Sequence, residues 1–496
     1  MRDRPTTLGE LKESGWKSRS VKDELRANLI DRLRGGKPLF DGIHGYDDTV
    51  IPDMERAILA RHSINLLGLR GQAKTRMARS MVELLDEWMP VVQGSELNDD
   101  PLAPLSRHAK DLLAAKGDGT PIAWVHRSQR YTEKLATPDV TVADLIGDSD
   151  PIKAANLKLD YGDERVIHFG LVPRSNRGIF VINELPDLQP RIQVALFNIL
   201  QEGDVQIRGF RMRLPLDIQF VFTANPEDYT NRGAIITPLK DRIQSQIITH
   251  YPESTELGMK ITEQEARTTR DQRERVVVPG LMHELVENIV EAARSSEYVD
   301  QKSGVSARLS ISALEYLVAA AERRGIITGE PRVQARISDL LTVAPAITGK
   351  IELVYEGEQQ GTESVAENLI DEALRRTFRC HFPDPSQKRM DGWPDPYAEV
   401  VAWFEDNELD LLAESSGRDY EAALNTVAGL AKLVDDREEP IPPGERGLWM
   451  EFVLHGLAEF SRIGRNGFTA SVTFSDLFSS LYFTKDDPAG EGEEDE

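Results

Sequence analysis

The segment from Ser63 to Thr75, SINLLGLRGQAKT, constrains this chain more than any other. A short apolar run, Ser63–Leu67, enters a turn with two glycines that ends in Lys-Thr. Thr75 then opens a helical pattern with Met77, Met81, Leu84, Leu85 and Trp88 on one face. A strand that turns directly into a helix calls for a layered α/β arrangement, since each element must bury one face on the other. The turn itself, Gly68-Leu69-Arg70-Gly71-Gln72-Ala73-Lys74-Thr75, has the spacing G-x-x-x-x-G-K-[ST], with Ala73 where the last glycine belongs. Glycines let the backbone curl so that successive N–H groups face phosphate oxygens, Lys74 reaches the β/γ-phosphates, and the Thr75 hydroxyl holds Mg²⁺. The helix that follows presents its positive end to the same anion. The expected nucleotide-binding residues are Gly68, Arg70, Gly71, Gln72, Ala73, Lys74, Thr75 and Arg76. A positive φ at position 73 would cost an alanine about 1–2 kcal/mol. The competing reading, a strand–helix turn that binds nothing, leaves the Lys-Thr pair unexplained.

Between about residues 60 and 250 short apolar runs alternate with helical patterns, as a parallel sheet covered on both faces requires. The expected strands are Ser63–Leu67, Pro121–Val125, Gly178–Asn183, Ile218–Ala224 and Ile243–Thr249. Beyond residue 275 helices are expected over Leu281–Ala293, Ile311–Arg324 (with Gly325 as its stop), Val333–Leu341 and Ala366–Arg379, then more from Tyr397 to Ser461. The proline-rich stretch Asp384–Pro396 reads as a linker, and 486–496 as an acidic solvated tail. Two strands end in polar groups suited to phosphate chemistry. Gly178–Asn183 delivers Asn183-Glu184, where Glu184 can accept the proton of an attacking water and Asn183 stands where an Asp would support Mg²⁺. Ile218–Ala224 delivers Asn225, placed to orient that water. Between them, Gly203–Pro215 reads as a hairpin: Val205 and Ile207 alternate, Arg208-Gly209 turns, and Phe210, Met212 and Leu214 alternate again. Arg242, after Pro238-Leu239-Lys240-Asp241, is placed to reach a neighbouring subunit's γ-phosphate.

Taken in order, these motifs resemble the AAA+ ATPases, and within them the magnesium-chelatase I-subunit and MoxR group. The resemblance covers about residues 38–350. Gly68–Thr75 is similar to Walker A and Gly178–Glu184 to Walker B, while Gly170–Gly178 (GLVPRSNRG) looks like the chelatase approach to Walker B. Leu145–Asp148 with Pro151–Ala154 looks like the start of a helix-2 insertion, Val205–Leu214 like the insertion before sensor 1, and Asn225 like sensor 1. Arg242 falls on the arginine finger, with Ile243 in place of the usual Phe, and Gly304-Val305-Ser306-Ala307-Arg308 is similar to a sensor 2, placing Arg308 near the γ-phosphate. The resemblance implies a P-loop NTPase core with an all-α lid, ATP and Mg²⁺ as ligands, and a ring, usually of six subunits, with ATP between subunits. It also implies a partner carrying a von Willebrand A domain. The domains expected on this basis are an N-terminal helical arm (1–37), the α/β core (38–255), the lid (275–380), a C-terminal helical region (397–485) and the tail.

Charge and composition narrow the function classes. With 59 Lys and Arg against 83 Asp and Glu, the net charge of −24 opposes a protein that coats nucleic acid. The Arg208, Arg211 and Arg213 cluster therefore reads as a solvated or partner-facing hairpin, not a nucleic-acid contact. No apolar run approaches the ~20 residues that cross a bilayer, and MRDRPTTLGELKESGWKSR has no apolar core for a secretory signal. A single cysteine, Cys380, fits a reducing cytoplasm. Nine histidines form no helical i, i+4 pair, Cys380-His381 lacks the further ligands of a zinc site, and no serine sits in a G-x-S-x-G elbow. The expected function is a cytoplasmic Mg-ATP-hydrolysing motor that remodels a partner protein, in metal or cofactor insertion if the chelatase likeness extends that far. The alternative is an ATP-binding scaffold, slowed by Asn183, whose nucleotide sets ring assembly.

Overall fold

The computed structural model describes residues 4–158, 164–206, 213–226, 234–387, 395–437, 439–468 and 471–477. The chain divides into two compact units, Met1–Tyr251 and Pro252–Glu496.

The first unit is built on a five-stranded parallel sheet. In chain order its strands are β1 (Ile64–Leu67), β2 (Tyr131–Leu135), β3 (Gly178–Asn183), β4 (Ile218–Ala224) and β5 (Ser245–Ile248), arranged β5-β1-β4-β3-β2. The central strands β3 and β4 are buried along their whole length, which is why they read as continuous apolar runs. Their side chains alternate between two cores. Phe180, Ile182, Phe220 and Phe222 face one apolar cluster, with Leu185, Ile192 and Leu196 over them. Ile179, Val181 and Val221 face the other, covered by helix α1 (Val21–Arg34) and the helix Val50–Leu59. α1 is thus packed into the sheet's own core. Its Glu24 makes a bidentate ion pair with Arg130, at 2.6 and 2.7 Å, and both side chains are buried. Arg130 also donates two bonds to the Arg177 carbonyl and so ties the start of β2 to the start of β3.

Two expectations about this unit are corrected. The run Pro121–Val125 is not in the parallel sheet; Ile122–His126 pairs antiparallel with Trp88–Val92 in a separate ribbon. The missing sheet strand is β2, whose sequence YTEKL is polar because it lies at a half-buried sheet edge, and so carries no apolar signal. The helix after the glycine-bearing turn is also shorter than its apolar stripe. Helix α2 spans Lys74–Ser80, a 3-10 turn follows over Met81–Leu84, and Trp88 opens a strand. Met77, Met81, Leu84 and Leu85 are all buried, so the stripe reports burial faithfully but not the element. The GLVPRSNRG segment works as packing: Asn176 bonds the Leu97 carbonyl and the Asp217 N–H, and Arg177 bonds the Pro90 carbonyl. At the insertion near residue 150, Gly147–Ser149 and Ile167–Phe169 form an antiparallel ribbon around the helix Pro151–Leu157. The hairpin stems Asp204–Gln206 and Arg213–Pro215 pair as expected, with Val205 opposite Leu214; its tip, with Ile207, Arg208, Phe210, Arg211 and Met212, lies outside the described residues.

The second unit is helical. Its long helices are α3 (Gly280–Ser295), α4 (Arg308–Thr328), α5 (Thr362–His381) and α6 (Arg446–Glu459), and one apolar cluster runs from Val276 to Phe474. Gly325 does not stop α4. The helix continues to Thr328 and ends at Gly329, whose φ of 72° suits a left-handed cap, while Gly325 makes room for Val333. Val333–Leu341 is not one helix. Val333–Gln334 pairs with Val276–Val277 as a strand, and a short helix begins at Ile337, after Asp339 caps the Arg336 N–H. A three-stranded sheet, Leu409–Leu412, Ser471–Ser475 and Gly464–Asn466, closes the C-terminal region. Part of the expected linker (388–394) and the acidic tail lie outside the described residues.

Candidate nucleotide site

β1 ends at Leu67, and the chain turns over the carboxyl ends of the parallel strands, the place where ligands bind in open α/β sheets. The turn is held from below. Gly68 N–H donates to the Ala224 carbonyl, Tyr46 OH to the Gln72 carbonyl at 3.1 Å, Tyr251 OH to the Arg70 carbonyl at 3.1 Å, and Thr249 Oγ1 to Gln72 Oε1 at 2.7 Å. Position 68 needs glycine for space, because a Cβ there would collide with the Thr249 hydroxyl and the Gln72 amide. Gly71 takes φ 76° and Ala73 φ 54°, ψ 12°, so alanine does occupy a left-handed position just before α2. That strain of about 1–2 kcal/mol belongs to a loop whose shape is imposed by its surroundings.

Four of the residues singled out in the sequence converge above this turn. Lys74 is buried, and its Nζ donates to the Gly68 and Leu69 carbonyls and, at 2.8 Å, to Asn225 Oδ1. Thr75 Oγ1 donates to Asn183 Oδ1 at 3.4 Å. Asn183, Asn225 and Lys74 are all less than a tenth exposed. Glu184 follows in the left-handed region at φ 55°, its N–H held by Thr223 Oγ1 at 3.1 Å, and among the described residues its carboxylate takes no hydrogen bond. The Gly68, Leu69 and Asn225 oxygens around the Lys74 ammonium are uncharged, and at Gly68 the turn packs too closely on Thr249 and Gln72 to admit a Cβ. A triphosphate fits such a place, with Thr75 and Asn183 supplying oxygens on the side where Mg²⁺ would bind. Arg70, Thr75 and Arg76 are half-buried at the rim of the turn.

Arg242 is not bonded to this cluster among the described residues. Arg242 is held within its own unit: Nε and Nη2 donate to Gln201 Oε1 at 2.9 and 2.6 Å, Nη1 to the Pro238 carbonyl, and the guanidinium lies 5.2 Å from the Phe197 ring centre. Arg308 is the first residue of α4 in the second unit and is exposed. Among the described residues no group of three or more His, Cys, Asp or Glu is placed to hold a metal ion, and no helix is long and apolar enough to cross a membrane.

Two residues of the site escaped sequence reading. Thr223, inside β4, donates to Asn183 Oδ1 at 3.1 Å. Glu133, on β2, accepts a hydrogen bond from Asn183 Nδ2 at 2.6 Å, from Tyr131 OH at 3.0 Å, and from Arg79 Nε and Nη2 at 2.7 and 3.0 Å. Burial pushes the Glu133 carboxyl up, but Arg79, Tyr131 and Asn183 outweigh it and hold it below the usual range. Burial and the adjacent Glu133 push the Tyr131 hydroxyl well above its ordinary value, so it stays a donor. The only sequence signal for Glu133 was a glutamate in a short stretch that alternates as a strand.

Residues 161–248, which include β3, β4 and β5, match the Sigma-54 interaction domain. The hydrogenase transcriptional regulatory protein HoxA of Cupriavidus necator is 32% identical over 87 residues, 17% of this chain and 18% of that protein's length. Among solved structures, NtrX from Brucella abortus in complex with ADP is similar over 74% of this chain and 66% of its own, with 14% identity and a TM-score of 0.33. The complex between subunits BchI and BchD of magnesium chelatase is similar over 72% of this chain and 99% of its own, with 17% identity and a TM-score of 0.29. The β5-β1-β4-β3-β2 sheet and the turn between β1 and α2 give the chain the α/β core of a P-loop NTPase, followed by a helical region.

Proposed function

We propose that the protein is an AAA+ ATPase of the magnesium-chelatase/MoxR kind, which binds and hydrolyses Mg-ATP between the subunits of a ring, a hexamer by that likeness, and uses the cycle to remodel a partner protein. The observation that supports this most is the meeting of Lys74, Thr75, Asn183 and Asn225 over the ends of three neighbouring strands. When bound, Mg²⁺ supplies charge neutralisation on the β- and γ-phosphates. Lys74, buried beside the turn, holds the terminal phosphates. Asn225 fixes Lys74 and faces the water that Glu184 deprotonates. Glu184 is half-buried, and among the described residues its carboxylate takes no hydrogen bond, as suits a general base. Arg242, braced by Gln201, is the in-trans arginine of this reading, and Arg308 the second sensor. A von Willebrand A domain partner and a role in metal or cofactor insertion follow from the chelatase likeness, and a cytoplasmic location from the single cysteine.

Calorimetric titration of the native chain with ATP and Mg²⁺, beside Lys74→Ala, tests the binding step. Saturable binding that Lys74→Ala abolishes is expected; equal binding by both proteins refutes the site. Turnover that rises with protein concentration, and is lost in Arg242→Ala while nucleotide binding survives, is the outcome expected of a ring. The scaffold reading is favoured by the missing carboxylate at position 183. It predicts nucleotide-dependent assembly with no turnover above that of Glu184→Gln.

A further inference from the structure

We propose that Glu133 is the positioning residue for Asn183, so that a carboxylate on β2 and an amide on β3 act as one unit in place of a single acid at position 183. An asparagine amide has an acceptor end and a donor end, and its neighbours decide which faces which way. A carboxylate only accepts, so the Asn183 NH₂ must turn toward Glu133, 2.6 Å away. The oxygen then faces Thr75 Oγ1 and Thr223 Oγ1, on the side of the phosphate loop. Register explains the reach. Leu135 pairs with Asn183 across the two parallel strands, and Glu133 lies two residues earlier on the same face. Glu133 is itself immobilised by Arg79, which projects from α2 directly behind the loop, and by Tyr131. The negative charge that the site lacks at position 183 is thereby present one strand away, and the loop helix is tied to it.

A corollary separates this from simple packing. An aspartate at position 183 alone does not restore the missing acid; it sets two carboxylates against each other where a hydrogen bond now exists. Combining Asn183→Asp with Glu133→Gln exchanges the two groups, keeps one acid and one amide, and recovers the arrangement. The proposal rests on the nucleotide reading for what the Asn183 oxygen serves, but the pairing itself does not.

The test compares the native chain, Glu133→Gln, Asn183→Asp and the double variant. The dissociation constant of a fluorescent ADP analogue is measured in Mg²⁺ and in EDTA, and thermal unfolding is measured without nucleotide. Each single variant is expected to lose about tenfold of the affinity that Mg²⁺ adds, the size of one charged hydrogen bond. The double variant is expected to return to within about threefold of native. Native-like or better Mg²⁺ dependence in Asn183→Asp alone, or a double variant as poor as the worse single, overturns the proposal. Should Asn183→Asp fail to fold, recovery of folding by added Glu133→Gln supports the pairing and continued failure overturns it. If the native chain binds no nucleotide, the functional reading falls, while the unfolding temperatures still decide the pairing: recovery in the double supports it, additive losses overturn it.

Discussion

Replacing Glu24 by glutamine removes a charge and almost no volume, and the structure says what that should cost. Glu24 and Arg130 are bonded twice, at 2.6 and 2.7 Å, with side chains 6% and 1% exposed. The glutamine oxygen can still accept from the Asp86 N–H, which now bonds Glu24 at 2.7 Å, so that contact need not be lost. What is lost is the counter-charge of a guanidinium that cannot reach water, and stranding one member of a buried pair costs about 3–5 kcal/mol. For a unit of this size about 2–4 °C accompanies each kcal/mol, so its melting temperature should fall by roughly 6–20 °C. Scanning calorimetry of native and Glu24→Gln protein, at low and at high salt, measures this. Because the pair is buried, the loss should be nearly independent of salt. A shift under about 2 °C, or one that disappears at high salt, would mean that the pair is solvated and does not hold β2 against β3.

Other perturbations follow from single observations. Ala73→Val sets a β-branched residue at φ 54° and should cost more than about 1 kcal/mol, whereas Ala73→Gly trades relieved strain against unfolded-chain entropy and should stay within about 1 kcal/mol; urea unfolding separates them. At Gly456, inside α6, a methyl would overlap the Phe378 ring. Gly456→Ala should therefore destabilise the second unit by about 1–3 kcal/mol despite alanine's better helix propensity, read as a lower melting temperature. Glu459 is pushed up to about 7 by burial, then by Asp371, against the pull of Arg465 and Arg375. Since its carboxyl holds a proton more tightly folded than unfolded, the stability it contributes is full below pH 4.5 and is lost as pH rises through about 7. The difference in unfolding free energy between native and Glu459→Gln protein should accordingly change by about 1–3 kcal/mol across that window, and a flat difference would refute the assignment.

Residues whose role follows from chain neighbours were legible in the amino-acid order. The turn Gly68–Thr75, the largely apolar strands β3 and β4, and the polar residues Asn183, Glu184 and Asn225 at their ends all lie where the spacing places them, because a strand buried in a parallel sheet is mostly apolar until it exits the sheet. Elements governed by partners far away in sequence were not. β2 lies at the edge of the sheet and is polar, so its place was given to Pro121–Val125, a more apolar run that pairs elsewhere. Gly325 looked like a helix stop, but the need to admit Val333 is a tertiary fact.

Sequence alone determined that a glycine-bearing turn ending in Lys-Thr joins a strand to a helix and that two later strands end in Asn183-Glu184 and Asn225, since periodicity and spacing are local properties. Only the folded sheet decided that Lys74 reaches Asn225 across 151 positions of chain, and that Asn183 faces Glu133 from 50 positions away. Such pairings depend on strand order and register, which no stretch of sequence carries by itself.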